Sequence, residues 1–204
     1  IEGTVTANYS TMKDAVGRTG GNLYFGSKKE GMSFSGFVNA TKGSRTDRVI
    51  ADPYGGVQDM SVDDNAALES LSGLVTGSIQ NLTVRLLYDN YSVKYTYPGE
   101  GVSDYYTDYL MYVAKAEYRL AISDELTIAP SAQYKMNRPW AAPTVYYDTG
   151  EEFEEWEVDD ETQKYTVDIP VSYDITPDIN FLTGVAYEYI QGRDDLMWGT
   201  FNGE

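Results

Sequence analysis

The sequence predicts an all-β protein, an antiparallel up-and-down transmembrane β-barrel of which about nine strands are present. Three observations predict it. Hydrophobicity alternates with a period of two along most of the chain, the connections between alternating segments are by turns short and long, and the segments exceed the usual length of strands in soluble sheets.

The alternation is cleanest in "LMYVAKAEYRLAISDELTIAPSAQYKMN", residues 110 to 137. Every even position from Leu110 to Ile122 is apolar or aromatic, while Lys115, Glu117 and Arg119 fall between them. Successive side chains separate in this way only at 180° per residue, the geometry of a strand. After "SDE" the pattern restarts, with Leu126, Ile128, Pro130, Ala132, Tyr134 and Met136 on one side and Thr127, Ser131, Gln133, Lys135 and Asn137 on the other. Two amphipathic strands joined by a tight turn account for both runs.

The same period gives nine strands, at about 3–12, 19–27, 32–44, 70–80, 82–97, 105–123, 125–138, 163–175 and 178–192. Met32, Phe34, Gly36, Val38 and Ala40 oppose Ser33, Ser35, Asn39 and Thr41. Tyr165, Val167, Ile169, Val171 and Tyr173 oppose Thr166, Asp168, Ser172 and Asp174. In 82–97 the apolar set changes phase, from Leu82, Val84, Leu86 and Tyr88 to Tyr91, Val93, Tyr95 and Tyr97. That shift predicts either a β-bulge near Asp89 and Asn90 or the edge of a membrane.

The connections supply the topology. "KKEG", "QN", "SDE" and "TPD" are short, 98–104 is intermediate, and 45–69 and 139–162 are long. Short turns on one end and long loops on the other are the layout of an outer-membrane meander, with periplasmic turns and extracellular loops. The return through "KDAVG" is then a short outer connection. The whole chain, 1–204, reads as one partial barrel domain.

Strand length separates this reading from a soluble sandwich, which also alternates. A tilted membrane-spanning strand needs about 9 to 11 residues, and the excess here projects beyond the bilayer as a polar rim. Nineteen tyrosines suit an interfacial girdle. Tyr88, Tyr91, Tyr95, Tyr97, Tyr105, Tyr106, Tyr109 and Tyr112 gather near the predicted outer ends, though ordinary strand preference also favours tyrosine. No run of about 18 apolar residues is present to form a membrane helix.

Composition narrows the chemistry. Fifteen Lys and Arg against 32 Asp and Glu leave a formal charge of −17. Such a chain repels a phosphate backbone, so nucleic acid is set aside as a partner. With no cysteine and no histidine, disulfides, Cys/His zinc sites and histidine-assisted nucleophiles are unavailable. No catalysis is expected.

Candidate sites follow from this placement. Lys115, Glu117 and Arg119 are expected to face a hydrated or plugged lumen, because a Lys or Arg on the lipid face at mid-depth costs about 2 to 4 kcal/mol. "DTGEEFEEWEVDDE", 148–161, concentrates carboxylates in one outer loop. Either it is solvated, or it holds Ca²⁺ through Asp148, Glu151, Asp159 and Asp160, or it meets the cations that bridge surface lipopolysaccharide. Phe153 and Trp156 interrupt the acids and either stack on a ligand or pack between loops. In "RTDRVIADPYGG", Arg45 and Arg48 either pair locally with Asp47 and Asp52 or hold an anionic ligand group.

Residues 1–48, "IEGTVTANYSTMKDAVGRTGGNLYFGSKKEGMSFSGFVNATKGSRTDR", resemble the opening of the barrel in TonB-dependent outer-membrane receptors, where a Gly-rich first strand, a return strand and an outward strand ending in a Ser/Arg/Asp/Arg-like segment follow the plug. The later meander with its long outer loops is similar to that family's barrel as well. The resemblance implies a bacterial outer-membrane protein that takes up a scarce small-molecule ligand, a metal chelate, cobalamin or an oligosaccharide, with TonB, membrane lipid and lipopolysaccharide as partners. Neither a plug with its TonB box nor a terminal aromatic strand is in the sequence, so the chain reads as the first nine or so of about 22 strands. A passive porin or fatty-acid channel, and a soluble or surface β-sheet binding module, are the competing readings.

Overall fold

The computed structural model describes residues 1–12, 16–44, 49–50, 60–61, 67–96, 104–148, 152–193 and 196–202. In chain order the strands are β1 (Glu2–Thr11), β2 (Val16–Lys29), β3 (Met32–Ser44), β4 (Val49–Ile50), β5 (Met60–Ser61), β6 (Ala67–Ile79), β7 (Leu82–Thr96) and β8 (Asp104–Tyr118). There follow β9 (Leu120–Ala121), β10 (Leu126–Ile128), β11 (Ser131–Asp148), β12 (Glu152–Asp159), β13 (Glu161–Thr176), β14 (Ile179–Arg193) and β15 (Leu196–Asn202). Thirteen of them form one antiparallel sheet, and β4 with β5 forms a separate two-residue ladder. Among the described residues there is no helix.

The thirteen strands are nine long ones with local breaks. β8 and β9 share a single register against β11 and β10, since Glu117 faces Ser131 and Leu120 faces Ile128. Pro130 has no N–H to give the ladder, and its carbonyl instead accepts the Tyr118 N–H at 2.9 Å. Likewise β12 runs into β13 across Asp160, and β14 and β15 lie on one register line against them, because Glu161–Arg193 and Val158–Leu196 are pairs of one register. The nine strands lie side by side in chain order, so the sheet is up-and-down. It is not closed: among the described residues, β1 and β14 each have one neighbour.

The four short turns sit together at one end of the sheet and have local causes. Gly31 takes φ +71° and Gln80 takes φ +51°, left-handed values that let two-residue turns reverse the chain. The Gln80 N–H donates to the Gly31 carbonyl at 2.6 Å, tying neighbouring turns. In the third turn Ser123 Oγ accepts the N–H groups of Glu125 and Leu126 at 3.2 and 3.1 Å. In the fourth, Thr176 Oγ1 accepts the Asp178 N–H at 3.3 Å.

Register turns per-strand alternation into two continuous faces. One ladder row crosses all nine strands through Gly3, Phe25, Gly36, Val75, Leu86, Ala114, Tyr134, Tyr165 and Tyr189. It carries no charge. The adjacent row, on the opposite face, runs through Glu2, Gly26, Ser35, Thr76, Arg85, Lys115, Gln133, Thr166 and Glu188. Aromatic pairs pave the apolar face: Phe25–Phe34, Tyr88–Tyr112 and Tyr134–Tyr165 have ring centroids 5.5, 5.2 and 5.1 Å apart. Gly36 lies under the ring of Phe25, where a Cβ would overlap it.

Among the described residues this apolar face has no second layer. Val185 is 68 % exposed and Val167 47 % exposed, and among the described residues Val93 is the single buried hydrophobic side chain. The rows are also staggered. The level of Ile79, Leu82 and Tyr118 crosses to Ile169 on β13, yet β13 continues to Thr176 before it turns. A hydrogen-bond stagger of this kind accompanies strands tilted to a barrel axis.

One of two alternatives falls away, and two expectations need correction. No bulge occurs at Asp89 and Asn90, because β7 keeps one register with β6 from Leu82 to Val93 and with β8 from Leu82 to Thr96. With the register unbroken, the apolar residues above Asn90 stand on the other face of the sheet. Next, much of 139–162 is not a loop. β11 continues to Asp148 and pairs with β12, which pairs on its other side with β15. Strand formers on both neighbours, Val145, Tyr146, Tyr147, Trp198 and Phe201, flank the glutamates, which have low strand preference of their own. Last, the connection after β3 ends earlier than residue 69, since β6 begins at Ala67 and fully pairs with β3. The "KDAVG" return lies largely outside the described residues.

Candidate functional site

The polar face holds a group of charges that no single strand displays. Lys115 is an ion-pair partner of Glu117 two residues on, at 3.2 Å, and both side chains are about one-third exposed. Lys164 pairs with Glu188 across β13 and β14 at 2.6 Å. The ladder also sets like charges directly opposite one another, Arg85 against Lys115 and Lys135 against Lys164. Cross-strand residues have Cβ atoms about 5 Å apart, and like charges so placed repel. Lys115 faces Gln133, so Lys135 is its diagonal neighbour and the four cations form one patch over β7, β8, β11 and β13.

Beside the patch runs an apolar row on the same face. Phe37 faces Leu74, Leu74 faces Leu87, Leu87 faces Val113, and Val113 faces Lys135. Phe37 and Leu74 are 38 and 39 % exposed. The row therefore leads from β3 straight into the cations.

Nearer the loop end, the character of the two faces exchanges. On the apolar face a polar row crosses the sheet through Thr19, Lys42, Glu69, Ser92 and Asp108, with Lys42 and Glu69 paired at 2.5 Å. On the other face Val93, Thr41 and Thr107 are buried. Thr41 shares a 2.6 Å hydroxyl contact with Ser70 and accepts from Arg18 at 3.2 Å, and the Tyr91 and Tyr109 rings stand 5.8 Å apart.

The sequence candidates fall into several places. Lys115, Glu117 and Arg119 share one face, and Arg119 sits by the short turns, where its N–H donates to the Asn81 carbonyl at 2.9 Å. Arg45 and Arg48 lie outside the described residues, as does Glu151. In the ladder Trp156 is opposite Trp198, Phe153 is opposite Phe201, and Asp148 is opposite Phe153. Asp159 is held by two arginines: Arg138 donates from Nε at 2.8 Å, and Arg193 donates at 2.8 Å. Asp160 stands at the β12–β13 break. Among the described residues no three acidic side chains converge as a metal site.

Sequence reasoning missed Arg85, Lys135, Lys164 and Glu188 as members of the charged group. The period-two pattern marks each as polar-facing, but the pairing that unites them appears only in the register. Trp198 and Phe201 were missed because 196–202 follows the last predicted strand.

No protein-family model matches the chain. A search of curated proteins likewise finds no significant match.

Proposed function

We propose that the chain is part of the wall of a transmembrane β-barrel in the bacterial outer membrane, and that the protein is a transporter resembling TonB-dependent receptors, taking up a scarce ligand such as a metal chelate, cobalamin or an oligosaccharide. The observation that carries this reading is the uncharged ladder row across nine strands, backed by a charged row on the other face and, among the described residues, covered by no second layer. A soluble sheet buries its apolar face against another layer. Hydrocarbon is the alternative cover.

The extent of the band supports the same reading. On β8 it runs from Leu110 to Tyr118 and on β13 from Tyr165 to Tyr173, nine positions in each case, the length a tilted strand needs to cross the bilayer core. The exchange of faces near Asn90 then marks the outer boundary. Beyond it the outward side meets water and headgroups, where Lys42, Glu69 and the Arg138–Asp159–Arg193 group are suited to lipopolysaccharide. The polar face lines the passage and meets the small-molecule ligand. TonB enters as a partner through the family resemblance alone, Ca²⁺ as a ligand of the acid-rich β11–β12 hairpin is a subsidiary part of the reading, and no catalytic step is assigned.

Cysteine is absent from the chain, so single introduced cysteines report their own surroundings. Nitroxides at Val167→Cys and Asp168→Cys in the membrane-reconstituted protein are expected to differ. The first should collide mainly with dissolved oxygen and the second mainly with a water-soluble nickel chelate. Equal nickel accessibility at both positions would refute the membrane assignment.

A further inference from the structure

We propose that the polar face carries a binding station for a small organic anion with an apolar body, its carboxylate on Arg85, Lys115, Lys135 and Lys164 and its body along Phe37, Leu74, Leu87 and Val113. This rests on the reading of that face as the lining of a passage.

Two independent features point to such a ligand. The first is electrostatic. In a chain with a formal charge of −17, two like-charged pairs stand directly opposite each other, and a diagonal step joins them. Among the described residues Lys115 and Lys164 have acidic partners in Glu117 and Glu188, so two acids stand against the four cations of the patch. Repulsion within cross-strand pairs weakens a sheet, so these contacts do not serve stability. A bound carboxylate offsets the excess, and its two oxygens accept charge-assisted hydrogen bonds from the guanidinium and ammonium groups.

The second feature is the apolar row. The neighbouring row of the polar face bears Ser35, Thr76, Gln133 and Thr166, whereas Phe37, Leu74, Leu87 and Val113 form an unbroken line across four strands. Val113 ends that line directly against Lys135. An inorganic anion leaves this row bare, and a neutral apolar solute leaves the cations unmatched. An aryl or alkyl carboxylate covers both.

The test uses the intact protein in nanodiscs and three water-soluble probes observed by saturation-transfer NMR: benzoate, acetate and benzylamine. Benzoate is expected to bind saturably and more tightly than acetate, and benzylamine not at all. The double variant Arg85→Gln/Lys135→Gln should raise the benzoate dissociation constant about tenfold or more, the scale set by losing charged hydrogen-bond donors. Leu87→Ser should remove the advantage of benzoate over acetate. Lys42→Gln, on the opposite face, should change neither. Absence of saturable benzoate binding overturns the proposal, as does an unchanged constant in the double variant, equal binding of benzylamine, or an equal loss in Lys42→Gln. Nanodisc insertion is scored separately, so a protein that inserts but ignores benzoate refutes the station alone, whereas failure to insert refutes the membrane reading.

Discussion

Substituting arginine at two neighbouring positions on β8 separates the two faces energetically. Ala116 stands on the apolar face, in a ladder row with Val84 and Ala132, one apolar-face position from Ala114 at the centre of the band between Leu110 and Tyr118. Glu117 stands on the other face, opposite Thr83 and Ser131. Ala116→Arg places a guanidinium in hydrocarbon at mid-depth, at a cost of about 2 to 4 kcal/mol. Glu117→Arg breaks the pair with Lys115, whose partners are 30 and 34 % exposed, and a partly exposed pair is worth about 1 kcal/mol or less. The difference, about 1 to 4 kcal/mol, corresponds to roughly 5- to 850-fold in the folding equilibrium. The assay is urea-dependent folding of the intact protein into lipid vesicles, read as heat-modifiable gel migration, with outer-membrane yield in cells as a second measure. Equal midpoints for the two variants would refute the face assignment, and an Ala116→Arg protein that stays monodisperse without detergent would refute the membrane itself.

Three other perturbations test local contributions in the same urea assay. Asp159→Asn strips the carboxylate from Arg138 and Arg193 and should cost about 1 to 2 kcal/mol; Arg193→Gln, at a side chain 55 % exposed, should cost less, and the reverse order would contradict the bridging role. Gly36→Ala forces the Phe25 ring aside and should cost about 1 to 3 kcal/mol, with the penalty reduced in combination with Phe25→Ala; a purely additive double variant would show that the ring is not the obstacle. Gly31→Val meets open space but must hold φ +71°, so a loss of about 1 to 2 kcal/mol is expected while Gly31→Asn loses less; equal effects would remove the backbone explanation.

The nine-strand meander was legible because alternation and turn chemistry are local. Leu110 to Leu120, the "SDE" turn and the polar-facing Lys115 and Glu117 need only neighbours two or three residues away to declare themselves. The acid-rich 152–159 was not legible as a strand. Its glutamates disfavour a sheet, and what holds it in one is register with β11 and β15, the latter some forty residues later in the chain. The phase change at Asp89 and Asn90 was visible, but the continuous register beneath it was not, since a bulge and an unbroken strand whose apolar residues switch face leave the same trace in one strand.

A two-sided antiparallel ribbon follows from the residues taken strand by strand, because a period of two is a property of each strand alone. How those strands slide past one another emerges in the folded sheet, because register is a relation between strands. That relation places Arg85 against Lys115 and Lys135 against Lys164, lays Phe37, Leu74, Leu87 and Val113 in line, and gives Asp159 two arginines from separate strands. Strand identity is written in short-range polarity, whereas the candidate site exists only where nine such strands meet at fixed offsets.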